Sequence, residues 1–110
     1  MSNTVKNIPM SEAVSMSGLV DVEPGKVISR TFVQHPDLSI TLFAFAAGEG
    51  VSTHSAPGDA MVYILDGEAK ITLGGVPLIA KTGEMVVMPA NIPHAVDAEK
   101  DFKMLLTVVK

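Results

Sequence analysis

Between Lys26 and Lys110 the apolar positions fall into short runs: KVISRTFVQ, SITLFAFA, MVYIL, EAKITL, VPLIA, MVVMP, IPHAV and FKMLLTVV. Each is rich in β-branched or aromatic side chains and is closed by residues that favour turns, which predicts an all-β sandwich or barrel. His35-Pro36-Asp37 predicts a plain turn, because proline presets the first central position of a type I turn and aspartate favours turns generally. Asp66-Gly67 and Gly74-Gly75 each predict a hairpin, since both dipeptides tolerate the positive φ angles of a type I′ turn. Gly48-Glu49-Gly50 and Lys81-Thr82-Gly83 separate other runs. No stretch after residue 26 keeps a helical period. Met61, Met85, Met88 and Met104 fall inside runs, where a flexible side chain fills gaps in a core. Phe32, Phe43, Phe45 and Tyr63 are expected in the core or in the wall of a pocket.

Residues 1–25 lack this alternation and read as an N-terminal arm to a barrel of residues 26–110. SEAVSM predicts one helical turn capped by Ser11; the alternative is an extended arm lying along the barrel or on a second subunit.

At 110 residues the chain supports one domain with one core. Its apolar fraction of 47% against 18% charged residues excludes a disordered chain, which could not offset the entropy of ordering. A net charge of −4 with no Lys/Arg cluster argues against nucleic acid, because phosphate binding needs a concentrated basic surface, and against an anionic membrane for the same reason. No apolar stretch approaches the length of a membrane span. MSNTVKNIPMSEAVSM has neither a basic segment followed by an apolar run nor a small-residue cleavage site, so a cytoplasmic location is expected. The absence of cysteine removes disulfides, thiolate nucleophiles and sulfur-ligated metals together. The glycines mark turns and not phosphate cradles, because none precedes a helix whose N-terminus could hold an anion.

Candidate chemistry centres on two histidines set in glycine frames. The first frame holds Gly48, His54 and Gly67, with Pro57 between; the second holds Gly83, Pro89 and His94. In order and spacing these resemble the two motifs of the cupin family, specifically its small, single-domain, RmlC-like conserved-barrel type. The first family motif reads G, five residues, H-x-H, three or four residues, E, six residues, G. The second reads G, five residues, P-x-G, two residues, H, three residues, N. The resemblance implies a double-stranded β-helix, that is, a jelly-roll barrel, and a homodimer; pairing or covering an exposed edge strand also favours dimerisation. It further implies a metal site of three histidines and one glutamate, but Ala56 stands at the second histidine position and Ala60 at the glutamate position. Asn91 replaces a motif glycine and Ala98 the final asparagine, so His54 and His94 alone remain of the ligand set.

Side chains alternate between faces of a strand. Ser52, His54 and Ala56 share one parity, and Ala60, Val62 and Ile64 share the inward parity of the following run, giving a mostly small and apolar pocket side. Asp59 falls on the opposite face unless a bulge redirects it. The function expected from these residues is small-molecule binding at the barrel mouth around His54 and His94, with Ser52, Ala56, Asp59, Ala60 and Val62 lining the pocket. A second alternative is a metal-dependent enzyme of dioxygenase or isomerase type. There Fe, Mn, Ni or Zn on His54 and His94 would need a third donor from Asp59, Ser52, a neighbouring subunit or the substrate. A third is a structural or interaction role with both histidines as packing residues. One histidine acting as a general base fits the imidazole's chemistry; a hydrolase triad does not, for want of a nucleophile elbow.

Overall fold

A computed structural model describes residues 4–110. The runs become strands: β1 (Val27–His35), β2 (Leu38–Phe45), β3 (Gly50–His54), β4 (Asp59–Asp66), β5 (Glu68–Leu73), β6 (Val76–Lys81), β7 (Met85–Met88), β8 (His94–Asp97) and β9 (Phe102–Val109). They form two antiparallel sheets, ordered β1-β2-β9-β4-β7 and β3-β8-β5-β6, facing each other as a jelly-roll barrel.

The core follows from alternation. Along β4, Ala60, Val62 and Ile64 are buried while Asp59 and Asp66 are exposed; along β5, Ala69 and Ile71 are buried. These side chains meet Phe45, Met88, Val96, Phe102 and Met104 between the sheets. Phe45, the last residue of β2, pairs with Phe102, the first of β9, and their rings stack with centroids 4.7 Å apart. Met88 and Met104 are buried as expected, whereas Met85 is exposed on the short edge strand β7.

Of the two predicted I′ hairpins, one forms. Gly74 (φ 54°) and Gly75 (φ 83°) join β5 to β6, and Leu73 pairs with Val76 across the turn. Asp66-Gly67 closes no hairpin: β4 pairs with β7 and β9, while β5 pairs with β6 and β8. The dipeptide is where the chain passes from one sheet to the other. Glycine is required there, because Gly67 has φ 80° and a β-carbon would lie 2.6 Å from the Asp101 carbonyl oxygen. His35-Pro36-Asp37 is the expected turn, with His35 paired to Leu38.

The SEAVSM turn does not form. Ser11 sits at φ 62°, and the helical turn is instead a 3₁₀ segment over Met16–Leu19 preceded by Ser15. A short segment with no amphipathic stripe takes whatever conformation its tertiary contacts select. The selection here is by the outer face of the five-stranded sheet, where Ile8, Met16, Leu19, Val20 and Val22 cover Phe32, Leu42 and Ala44 in a second apolar cluster. Polar contacts fix the arm to β1: the Lys6 N–H donates to the Phe32 carbonyl (2.8 Å), and Arg30 donates from Nε to the Asn7 carbonyl (2.6 Å) and from Nη1 to the Leu19 carbonyl (2.8 Å). Lys103 on β9 donates to the Ser17 carbonyl at 2.6 Å. Among the described residues no helix is long and apolar enough to cross a membrane.

Candidate functional site

A cavity of about 230 Å³ opens between the sheets at one end of the barrel. Its walls are Phe43 and Phe45 of β2, Val51 of β3, Ala60 of β4, Met88 of β7, Val96 of β8 and Met104, Leu106 and Val108 of β9, with Ala56 and Gly58 from the β3–β4 connection. Among the described residues, His54 and His94 carry the only polar side chains that line it.

The two histidines end up together because β3 and β8 are paired with His54 opposite His94. Their rings meet at a centroid distance of 4.3 Å and an interplanar angle of 69°, with the Nε2 atoms 3.1 Å apart. His54 Nδ1 lies 3.0 Å from the Ser52 carbonyl oxygen and His94 Nδ1 lies 3.2 Å from that of Ile92. The two Nε2 atoms are hydrogen-bonded to each other, one ring donating and the other accepting. His94 is buried and His54 exposed, so the pair reaches from the barrel interior to its mouth.

Two connections hold this mouth in place. The Asn91 N–H donates to the Ala56 carbonyl at 2.7 Å, and the Ala90 N–H donates to Asp59 Oδ1 at 2.7 Å. The loop before His94 is thereby laced to the loop after His54. Asn91 adopts φ 64°, a left-handed conformation that asparagine tolerates better than other side-chain-bearing residues. Gly48, Gly67 and Gly83 also have positive φ. All four motif glycine positions are thus backbone requirements, and Asn91 meets its requirement without glycine. Asn91→Ala is expected to cost about 1–2 kcal/mol and Asn91→Gly to change stability by only a few tenths, as read from urea midpoints; equal midpoints for the two variants would contradict this. The final motif position works through its backbone: Gly48 N–H donates to the Ala98 carbonyl (2.7 Å) and Ala98 N–H to that of Glu49 (2.9 Å).

Of the residues singled out from sequence, His54, His94, Ala56 and Ala60 line one cavity. Ser52, Asp59 and Val62 do not. The β3–β8 register shifts between Val51 and His54, so parity breaks there: Val51 joins His54 at the cavity, and Ser52 is exposed and contributes its carbonyl. Asp59 opens β4 in regular pairing with Val109, and its carboxylate binds the Ala90 amide on the outer side. Val62 is fully buried in the core between the sheets. The β9 wall of Met104, Leu106 and Val108 was not singled out as pocket; its period of two was visible, but its position opposite β3 and β8 was not.

A metal centre built by protein residues takes three or four ligands. No group of three His, Cys, Asp or Glu side chains converges among the described residues, and Asp59, the carboxylate next to the family's glutamate position, is bonded to the Ala90 amide. The donor set of this chain therefore does not fit a resident metal of the kind the family motif specifies.

A family model described as a cupin domain matches residues 41–110. No curated protein matches the sequence. Among solved structures, a conserved protein of unknown function from Streptococcus pyogenes is 44% identical, with a TM-score of 0.96 over 100% of this chain and 96% of that one. A cupin superfamily protein from Desulfitobacterium hafniense is 31% identical, with a TM-score of 0.91 over 96% of each chain. A cupin 2 conserved barrel domain protein from Leptotrichia buccalis is 49% identical with a TM-score of 0.84, covering 86% of this chain and 46% of that longer one. The match to the family model over most of the barrel, together with these full-length likenesses, shows that the chain belongs to the cupin family.

Proposed function

We propose that this cupin binds a small organic molecule in the cavity at its barrel mouth. The observation that carries the proposal is a cavity of about 230 Å³ between the sheets at the barrel mouth, apolar except for two convergent imidazoles. An apolar chamber with a few convergent polar groups is the usual form of a small-molecule site.

A thermal-shift screen of ring-sized compounds against the wild type and Ala60→Leu tests it. Ala60 is buried and faces the cavity, so leucine there occupies the space a ligand would take. A binding compound at a hundredfold excess over its Kd adds about 2.7 kcal/mol to the wild type and much less to the plugged variant. A screen in which no compound shifts the wild type, or in which Ala60→Leu responds equally, ends the proposal.

A further inference from the structure

We infer, building on the binding role proposed above, that what enters the cavity is a small hydrocarbon group of about one ring, with every polar atom of the ligand left outside the mouth. The polar atoms of the walls set the first limit. All four ring nitrogens of His54 and His94 have protein partners. Nδ1 of each faces a carbonyl, that of Ser52 at 3.0 Å and that of Ile92 at 3.2 Å, and the two Nε2 atoms are bonded to each other at 3.1 Å. Among the described residues no buried side-chain nitrogen or oxygen is without a hydrogen-bond partner.

The other side chains lining the cavity carry only carbon and sulfur as heavy atoms. A hydroxyl or amide taken inside would exchange its water for no side-chain partner, which leaves its full desolvation cost uncompensated. An ionised group would lose still more. His54 is exposed, so a polar end of the ligand that stops beside it keeps its water.

The walls also set the size. Ala56, Gly58 and Ala60 fall at every second position of the chain leading into β4 and give one wall almost no side-chain bulk. The resulting space of about 230 Å³ exceeds the roughly 150 Å³ that holds benzene, so one ring with one or two methyl groups fits. Burying that ring against Phe43, Phe45, Met88 and Met104 supplies the affinity, because apolar surface leaving water is favourable in proportion to its area.

Calorimetric titration of the purified wild type with p-xylene, 4-methylphenol and benzoate tests the inference, because the first two differ only by a methyl group in place of a hydroxyl. p-Xylene is expected to bind about tenfold more tightly than 4-methylphenol, a difference of about 1.4 kcal/mol, and benzoate to bind more weakly than either. Ala60→Leu fills the cavity from a buried wall position and should remove p-xylene binding; should that variant not fold, Ala56→Leu, at a half-buried wall position, replaces it. Binding of 4-methylphenol or benzoate as tight as that of p-xylene would overturn the hydrocarbon assignment and leave the binding role standing. p-Xylene binding undiminished in a folded plugged variant would place the hydrocarbon elsewhere and overturn the assignment too. If none of the three binds, the hydrocarbon assignment falls, and the thermal-shift screen above decides the binding role by itself.

Discussion

Phe45→Ala is expected to destabilise the barrel by about 3–5 kcal/mol, the usual cost of truncating a fully buried aromatic. Phe45 is completely buried, stacks on Phe102 at 4.7 Å with ring planes 6° apart, and meets Phe43 at 5.8 Å. It therefore joins two strands of one sheet and also forms part of the cavity wall. Its loss would merge the new void with a chamber that is already open, so neighbouring side chains have little to collapse onto. A domain of this size loses about 4–8 °C of melting temperature per kcal/mol, which places the shift at about 12 °C or more. Phe43→Ala, half-buried at the same cavity, should cost clearly less. Chemical denaturation of both variants checks the order; a Phe45→Ala cost under about 1.5 kcal/mol would show that the core is carried elsewhere, since values that low belong to conservative swaps.

What could be seen in the sequence and what could not divide along one line. Periodicity is local: the period of two in the run after Pro57-Gly58 marked Ala60, Val62 and Ile64 as inward, and all three are buried. Backbone demand is also local, and the glycine frame marked positions whose positive φ the structure displays. Pairing is not local. Asp66-Gly67 has the chemistry of a tight turn, yet whether the strands it joins share a sheet depends on β7, β9, β6 and β8, far away in the chain. The same limit hid the β9 wall of the cavity and the register shift that sends Ser52 outward. His54 and His94 escaped it because two spaced motifs, read together, carry pairing information that no single run contains. Ser15-Met16, not Ser11-Glu12, begins the only helical turn among the described residues, because that segment's conformation is set by the sheet it covers.

Placing histidine at position 56 and glutamate at position 60 is expected to convert the cavity mouth into a metal site. Ala56 and Ala60 line the cavity beside His54 and His94, and they occupy the two family ligand positions that this sequence lacks. The Ala56→His, Ala60→Glu variant would present three imidazoles and a carboxylate, a donor set suited to first-row divalent metals. Position 60 is buried, so without metal the new carboxylate loses hydration inside an apolar wall, at a cost of several kcal/mol if it stays ionised. The metal-free variant should therefore melt below the wild type. Added Zn²⁺ or Mn²⁺ should raise its melting temperature and leave the wild type unmoved, because binding to the folded state alone adds to folding free energy. Elemental analysis after purification without an affinity tag should find close to one equivalent of metal in the variant and far less in the wild type. Stoichiometric metal in the wild type, lost in a His54→Ala, His94→Ala variant, would mean that the two histidines recruit a third donor from outside the chain described here. A folded Ala56→His, Ala60→Glu variant that binds no metal would mean that positions 56 and 60 do not aim at the histidine pair, and the cavity geometry would be at fault.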